Sequence, residues 1–366
     1  MSEPVVRSIT LHARSPPSWS SEQLSSYVEE LVSSLQEAHD RASSEVGLSA
    51  WTLRVTLPNP SPEILGEAVA ALSGLDFGGV LVSIGGIPTG IEALESLVAE
   101  ATRETLYVHL YFSGEWGEAR RIARLMNALA EEDPMMATRL GVNVLGEGIL
   151  TPFYPLSWSP GDETLVTVAL TYPSYLASAY MSGGLKAMVD STITFASKAL
   201  RLAEAVARYV SAKVAGVDLS VAPWMRDSSL GLVELVAGAR LPEPGVAWGI
   251  SRINMALAMA AVKLGRAVGF NSVQLPVAED LKMKARVSEG EVTARDLARL
   301  SGACLAGLDM AVIPYEEDKV AGLILEVAAY SKAKGLPLGV RLIPLEGVEP
   351  GDKIGLDRFG ETPVLR

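Results

Sequence analysis

One frame occurs three times in the sequence: GVDLSVAP at residues 216–223, GFNSVQLP at 269–276 and GLDMAVIP at 307–314. Each copy has a glycine, an apolar residue, an Asp or Asn, four further residues and a proline. Each copy also follows a helical pattern, so we expect the glycine to end a helix with a positive φ. The proline is expected to end a buried strand, because it cannot continue a central ladder. The frame therefore predicts a repeated helix-to-strand connection.

Helical and extended patterns alternate around these copies. Extended runs are predicted at 51–57, 80–84, 106–112, 141–145, 165–170, 217–222, 270–275, 308–313 and 338–343. The longest helical patterns are at 21–46, 115–132, 192–214, 251–268, 293–306 and 319–334. This alternation predicts an α/β sheet or barrel with parallel strands in each half. We expect a single domain over residues 1–366 without a tail or linker, and with an excursion at the Pro- and Gly-rich stretch 241–249.

The composition limits the classes of function. The chain has 366 residues, of which 49% are hydrophobic, and a formal net charge of −12. This hydrophobic content excludes a disordered chain, and the negative charge argues against a nucleic-acid partner. A single cysteine excludes an intramolecular disulfide, and three separated histidines argue against a histidine-rich metal site. We therefore name no residue as a metal ligand and predict no nucleic-acid partner.

The sequence also carries expectations about location and source. The first residues lack a basic segment followed by an apolar run, so no secretory signal is expected. Residues 165–185 are uncharged but rich in Thr, Ser and Pro, which favours a strand and a helix over a membrane span. We expect a cytoplasmic protein with no membrane partner. Only eight residues are Asn or Gln and 21 Arg accompany 10 Lys, a bias typical of thermophile proteins.

The candidate catalytic residues follow from the rule that ligands gather beyond the carboxyl ends of parallel strands. That rule selects three rim loops, at 224–229, 277–280 and 315–318. In the first loop, Asp227 is a candidate general base and Arg226 a candidate anion clamp. Ser220, on the strand before that loop, is a third candidate catalytic residue. The alternative for Arg226 and Asp227 is a salt bridge at the rim.

Three further residues are candidates for substrate binding. Glu279 and Asp280 lie in the second rim loop, and Arg341 lies within the predicted strand 338–343. Arg341 is either a satisfied buried arginine or a side chain that points into a cavity. The same rule gives Asp218 and Asp309 capping and structural roles, because both lie near predicted strand starts.

Two other features have a structural and a chemical interpretation. Cys304 shares an apolar face of the helix predicted at 293–306, so a buried inert thiol is favoured over a reactive one. The segment GGIPTG at 85–90 is expected to form a turn between a strand and a helix, where anion-binding turns lie. It lacks the spacing of the known phosphate-binding motifs, so a simple turn is favoured.

Several blocks together resemble those of the domain-of-unknown-function 711 family. They are VDLSVAP at 217–223, LPVAED at 275–280, CLAGLDMAVIP at 304–314, VRLIP at 340–344, GDKI at 351–354 and TPV at 362–364. The resemblance implies a fold like that of pyruvate formate-lyase and other glycyl radical enzymes, a ten-stranded α/β barrel made of two parallel five-stranded halves. It does not imply their reaction. The tail GETPVLR at 360–366 contains no glycyl radical loop, and the only cysteine is predicted in a helix.

We therefore expect an enzyme, or an enzyme-like binder, of a polar or anionic small molecule with its site in the barrel mouth. Acid–base or metal-assisted chemistry is favoured over radical or covalent-thiol chemistry, and no cofactor can be named. The alternative is a catalytically inactive barrel that acts as a regulatory or scaffolding oligomer. A deep pocket with convergent polar groups favours the first, and a barrel plugged by apolar side chains favours the second. A homo-oligomer is compatible with either.

Overall fold

A computed structural model of the chain describes residues 3–144, 146, 148–304 and 308–366. Its first half contains five strands that pair in parallel in the order of the chain. The strands are β1 (Val5–His12), β2 (Ala50–Thr56), β3 (Leu81–Pro88), β4 (Tyr107–Phe112) and β5 (Leu140–Val144). The helices of this half are α1 (Ser21–Val46), α2 (Leu65–Leu72), α3 (Leu94–Arg103), α4 (Trp116–Glu132) and α5 (Pro134–Arg139).

The second half repeats the alternation with four regular strands. They are β6 (Leu165–Thr171), β7 (Lys213–Asp218), β8 (Asp309–Pro314) and β9 (Leu338–Leu345). The helices of this half are α6 (Pro173–Tyr209), α7 (Ser229–Ala237), α8 (Val246–Leu264), α9 (Leu281–Ser288), α10 (Ala294–Leu300) and α11 (Glu317–Lys334). Strand β6 pairs in parallel with β7, and β8 pairs in parallel with β9.

The two halves meet in opposite directions. Strand β1 pairs antiparallel with β6, and β5 pairs antiparallel with β9, which gives the sheet order β7-β6-β1-β2-β3-β4-β5-β9-β8. Residues 266–274 hydrogen-bond to the outer edge of β7, and the single helical turn Val277–Glu279 packs against β8. These residues fill the gap between β7 and β8 and complete a barrel of two parallel halves. The predicted fold class is confirmed.

The tenth strand, predicted at 270–275, is irregular. One isolated bridge, Val217–Ala267, joins it to β7, and a second, Val221–Val273, joins it to the residues that follow β7. Gly269 and Asn271 have φ values of 76° and 49° in this segment. Such left-handed residues interrupt a regular ladder, and glycine and asparagine are the residues that tolerate them best. In the described ranges, the barrel therefore has nine regular strands and an irregular tenth.

The expected helix-ending role of Gly216 is wrong. Gly216 lies within β7, which ends at Asp218 instead of starting near it. A Cβ at Gly216 would lie 2.4 Å from the carbonyl oxygen of Arg266. Glycine is required here because the irregular tenth segment approaches β7 closely. Gly307, in the third copy of the frame, lies outside the described residues.

Helix α6 follows β6 directly and breaks at Gly183 and Gly184, whose dihedral angles are not helical. The uncharged stretch 165–185 is thus a strand and the start of a helix, as predicted. In the described part of the chain, no helix is both long enough and apolar enough to cross a membrane. The stretch 241–249 connects α7 to α8, and its last four residues form the first turn of α8.

A small hairpin near the end of the chain lies at one mouth of the barrel. Its strands are β10 (Lys353–Gly355) and β11 (Glu361–Pro363), which pair antiparallel around the helical turn Asp357–Phe359. The backbone N–H of Leu365 donates to the carbonyl of Val312 on β8, at 2.8 Å, and fixes the segment to the barrel.

Candidate functional site

The barrel encloses a cavity of about 360 Å³ at the end where β1 to β5 begin. Because the two halves are antiparallel, residues that follow β7 and the irregular tenth segment line the same space, among them Trp224 and Glu279. Seven of the 23 lining residues are aromatic: Trp51, Tyr107, Phe153, Tyr154, Trp224, Phe270 and Phe359. The cavity is thus a chamber rich in aromatic side chains at the carboxyl ends of part of the second half, the place where α/β folds gather ligands.

The floor of the cavity is a buried loop, residues 149–160, which we call the plug. The plug follows β5 and enters the barrel, where its side chains contact strands of both halves. Irregular backbone is rarely buried because its polar groups need partners. Gly141 on β5 and Gly339 on β9 make room for it: an added Cβ would lie 2.6 Å from Pro155 Cγ or 2.1 Å from Leu156 Cδ1.

Two buried histidines hold the plug by their ring nitrogens. His12 Nδ1 donates to the Trp158 carbonyl at 2.7 Å, and its Nε2 accepts from the Thr167 hydroxyl at 2.8 Å. His109 Nδ1 donates to the Pro155 carbonyl at 3.1 Å, while its buried Nε2 has no hydrogen-bond partner among the described residues. Burial lowers the pKa of each histidine to about 4, so both rings are neutral at pH 7.

Asp218 ties the plug to the second half of the barrel. Its two carboxylate oxygens accept from the backbone N–H groups of Ser220, Phe270 and Asn271 and from two hydroxyls. One hydroxyl belongs to Thr151 of the plug, at 3.0 Å, and the other to Ser220, at 2.6 Å. Burial raises the pKa of Asp218, and these hydrogen bonds oppose that rise. Asp218 therefore has the structural role predicted for it, at the end of β7.

Four charged side chains form a row of ion pairs on the cavity wall. Arg7 on β1 pairs with Glu279, and Glu279 also accepts from Arg341 Nη2 at 3.1 Å. Arg341 on β9 makes a two-pronged contact with Asp309, at 2.6 and 3.1 Å. Side chains of this row are 6 to 14% exposed. Its members are therefore largely shielded from water, so the attraction between their opposite charges is stronger than it would be at an exposed surface.

The two carboxyl groups of this row differ in pKa. Burial raises the pKa of Glu279, but the guanidinium groups of Arg7 and Arg341 outweigh burial and hold the pKa below its ordinary value. Burial also raises the pKa of Asp309, and there it prevails, because only Arg341 contacts the group and Glu279 repels its charge. Glu279 is thus a fixed anion, whereas Asp309 is the carboxyl group of the row that takes up a proton more readily.

Arg54 lies at the junction of cavity and plug and has no carboxylate within salt-bridge distance among the described residues. Its Nη1 donates to the Pro152 carbonyl of the plug at 2.7 Å, and its Nε donates to the Thr52 hydroxyl at 3.3 Å. The guanidinium lies 5.1 Å from the centre of the Tyr154 ring. Burial and the charge of Arg7 lower the pKa of Arg54 to about 10, so it remains a cation at pH 7.

The mouth of the cavity is aromatic and cationic. Trp51, at the start of β2, is 51% exposed. The Trp224 ring lies between the guanidinium of Arg7, at 5.6 Å, and the Phe359 ring, at 5.8 Å. Arg358, exposed on the terminal hairpin, donates to the Tyr107 hydroxyl at 3.1 Å. The wall and mouth together carry four guanidinium and two carboxylate groups, a formal charge of +2 in a chain of −12.

Two of the six predicted site residues line this cavity: Glu279 and Arg341. The side chain of Asp227 instead contacts the first turn of α6, where its Oδ1 accepts hydrogen bonds from the backbone N–H and the hydroxyl of Ser174, both at 2.6 Å. Arg226 is exposed and borders a separate outer groove. A salt bridge between Arg226 and Asp227 is not present.

The other two predicted residues also have local partners outside the cavity. Ser220 is buried and donates to Asp218. Asp280 is the N-cap of α9, where it accepts from the backbone N–H groups of Lys282 and Met283, and it also accepts from Ser228 and Leu230. The structure therefore does not bring the six predicted residues together, and the roles proposed for these four remain predictions.

Sequence reasoning missed Arg7, Arg54 and Arg358 and gave Asp309 only a structural role. Arg7 and Arg54 are single charges within otherwise uncharged strands, the signal that singled out Arg341. Asp309 does start β8, as predicted, but β8 begins at the level of the cavity, opposite Arg341. Arg358 carries no such signal, because it lies in an exposed turn of the terminal hairpin.

Two further expectations need correction. Gly85 and Gly86 lie within β3, not in a turn, and an added Cβ at Gly86 would lie 2.3 Å from the Tyr111 ring. Cys304 is buried, as expected, but α10 ends at Leu300 and Cys304 follows it in a turn. Over the described ranges, no three His, Cys, Asp or Glu residues are grouped so that they could hold a metal ion.

A family model and several known proteins are similar to this chain, and they point to one uncharacterised family. The family model described as Uncharacterised ACR (DUF711) matches residues 114–357. A UPF0210 protein from Pyrobaculum arsenaticum is 30% identical over an alignment of 384 positions, gaps included. The alignment covers 93% of this chain and 84% of the relative. One from Methanopyrus kandleri is 33% identical over 183 residues, or 46% of this chain and 40% of the relative. Homologues thus occur in thermophilic archaea, in agreement with the thermophile-like composition.

Among solved structures, the anaerobic ribonucleotide reductase from Thermotoga maritima with citrate in its active site has a TM-score of 0.46 and 9% sequence identity. The match covers 92% of this chain and 80% of that chain. The same enzyme in complex with dATP and CTP also has a TM-score of 0.46 and 9% identity, covering 98% of this chain and 77% of that chain.

Proposed function

The chain belongs to the family described as Uncharacterised ACR (DUF711), and we propose that the barrel cavity of this member binds a small organic anion. The observation that carries the proposal is Arg54, a buried cation on the cavity wall with no carboxylate partner within reach among the described residues. Desolvating a cation is costly unless an anion compensates it. A ligand carboxylate or phosphate beside Arg54 would supply that compensation.

The remaining wall charges support an anion over a cation. Glu279 and Asp309 are each engaged by arginine, so their negative charge is already balanced within the protein. The excess of guanidinium groups over carboxylates leaves the cavity with a formal charge of +2. The planar guanidinium group can donate two parallel hydrogen bonds to a pair of oxygens of a carboxylate or a phosphate. Glu279 and Arg341 are the predicted substrate-binding residues that the proposal retains.

The competing interpretation is a catalytically inactive barrel that acts as a scaffold or regulatory oligomer. The plug favours it, because residues 149–160 fill one end of the barrel. The plug stops short of the charged row, however, and leaves a cavity with convergent polar groups above it. We therefore favour ligand binding over a scaffold role.

The test is anion binding by the wild-type chain and by Arg54→Gln, measured by calorimetry at constant ionic strength with succinate, benzoate and inorganic phosphate. We expect at least one of these anions to bind, and Arg54→Gln to weaken its binding at least tenfold. Arg208→Gln, which changes an exposed arginine paired with Glu45, is the matched control and should bind like the wild type.

A second variant tests whether a more positive cavity binds the anion more tightly. Asp309→Asn removes a wall carboxylate and leaves Arg341 with Glu279 as its carboxylate partner, so it should tighten binding of the same anion. If none of the three anions binds more tightly than chloride, or if Arg54→Gln binds as well as the wild type, the proposal is wrong.

A further inference from the structure

Resting on the proposed function, we infer that the ligand has a planar aromatic body with two anionic groups at opposite ends. One group would meet Arg54 at the floor of the cavity, and the other would meet Arg358 at its mouth. The inference names the ligand class, whereas the proposed function requires only that the ligand be an anion.

The aromatic body is inferred from the composition of the wall. Aromatic residues make up 6% of the chain but seven of the 23 residues that line the cavity. These rings come from β2, β4, the plug, the loop after β7, the tenth segment and the terminal hairpin, so they converge from six separate parts of the fold. Aromatic side chains attract flat ligands through stacked and edge-to-face contacts. Trp51 is half-exposed at the entrance, which leaves its ring available to a ligand.

The two anionic ends are inferred from the two cations that lack carboxylate partners. Within the described residues, neither Arg54 nor Arg358 has a carboxylate within 4.0 Å, in contrast to Arg7 and Arg341. Arg54 is buried at the floor, and Arg358 is exposed at the mouth. Both guanidinium groups line the one cavity.

A row of rings connects these two cations. Arg54 lies 5.1 Å from the centre of the Tyr154 ring, and the Tyr154 and Tyr107 rings have their centres 5.0 Å apart. The Tyr107 hydroxyl then accepts from Arg358 at 3.1 Å. The two cations are therefore linked through the adjacent Tyr154 and Tyr107 rings, which both line the cavity. A ligand that spans them needs a rigid body between its charges, which a para-substituted ring provides.

The test compares three probes by calorimetry at constant ionic strength. Terephthalate has two carboxylates across a ring, benzoate has one carboxylate on a ring, and adipate has two carboxylates on a flexible chain. The wild type should bind terephthalate at least tenfold more tightly than either of the others. Arg358→Gln changes an exposed side chain and should fold normally. It should lower terephthalate affinity to that of benzoate while leaving benzoate affinity within twofold.

The outcomes separate the inference from the proposed function. Equal affinity for terephthalate and benzoate, or an equal effect of Arg358→Gln on both, would overturn the two-ended ligand. Adipate that binds as tightly as terephthalate and still depends on Arg54 would overturn the aromatic body while leaving the proposed function intact. If none of these probes binds and the three anions tested with Arg54→Gln also fail, both are wrong.

Discussion

The same strands form the plugged end and the open end of the barrel, but the buried polar side chains find their hydrogen-bond and ion-pair partners differently at the two ends. At the plugged end, a loop of the chain itself supplies carbonyl groups to His12 and His109. At the open end, arginine and carboxylate side chains face a cavity, and their charges do not cancel. The difference indicates that the first end is filled by the chain itself and that the second end is suited to a ligand.

Asp218 and Asp309 show this difference between two copies of one sequence frame. Both side chains are buried, and burial raises the pKa of each. Asp218 accepts five hydrogen bonds from neighbouring backbone and hydroxyl groups. Asp309 is balanced by a single arginine across the cavity wall. The same residue type therefore fixes the fold at one position and borders the candidate site at the other.

The largest expected effect is at Asp218. Asp218→Ala removes the acceptor for five donors and should lower the free energy of unfolding by about 4 kcal/mol, measured by denaturant titration. Asp218→Asn should also destabilise, because the amide places a donor against the Phe270 N–H or against one of the other donors. Asp190→Ala, an exposed position on α6, is the control and should change stability little. A small effect at Asp218 would remove the contrast between the two ends.

The plug histidines should make stability depend on pH. Each has a pKa of about 4 in the folded chain and 6.5 in the unfolded chain, so the unfolded state binds protons first as the pH falls. Their stabilising contribution is complete above pH 6.5 and is lost as the pH falls towards 4, by up to about 3 kcal/mol for each histidine.

The matched variant is His109→Asn, which keeps a donor towards the Pro155 carbonyl but does not titrate. Its denaturant stability should fall less than that of the wild type between pH 7 and pH 4.5. Comparing the two chains cancels the effect of the buried carboxyl groups Asp218 and Asp309, whose raised pKa values act in the opposite sense. Identical pH profiles would show that His109 is not the buried neutral group described above.

A larger side chain against the plug should lower the free energy of unfolding by a smaller amount. Gly339→Ala places a Cβ about where Leu156 Cδ1 now lies, so we expect a loss of about 2 kcal/mol in denaturant titration. The double variant Gly339→Ala with Leu156→Ala should recover part of that loss relative to the sum of the single changes. Gly355→Ala, where an added Cβ meets nothing within 4 Å, should be neutral. Strict additivity of the two changes would mean that the plug does not press against β9.

The smallest expected effect is at Tyr154, where the plug meets the cavity. Tyr154→Phe removes a hydroxyl that donates to the Val55 carbonyl at 2.6 Å, at a cost of about 1 kcal/mol. The ring beside Arg54 is kept, so anion binding should stay within twofold of wild type by calorimetry. Tyr209→Phe, an exposed tyrosine on α6, is the control for stability. A large loss of binding would assign the Tyr154 hydroxyl to the ligand.

Much of the architecture was predictable because it depends on local patterns. The alternation of helical and strand-like hydrophobic patterns predicted most strands and helices. Sequence blocks such as LPVAED and VRLIP indicated the family, which the family model and the relatives confirm. The position of Gly216 was not predictable, because its role depends on how closely the backbone of Arg266 approaches from another part of the chain.

The site was predictable only in part. Arg341 was found because a lone charge in an apolar strand needs an explanation, and Glu279 was found because it follows a strand end. Asp227 satisfies the same rule as Glu279 but accepts hydrogen bonds from Ser174 at the start of α6. A strand-end rule locates a loop, and it does not indicate which side chain of the loop turns inward.

The sequence by itself determined the α/β class, the two parallel halves and the small number of residues able to carry cysteine or histidine chemistry, because these follow from periodicity and composition. Only the tertiary structure decided which charges share a cavity. Arg7 and Glu279 are 272 positions apart, and Arg341 reaches Glu279 across 62. Strand periodicity gives each side chain one of two faces, but the closing of the sheet decides which face is inside. That closure places three arginines, Arg7, Arg54 and Arg341, on the wall of one cavity in an acidic protein.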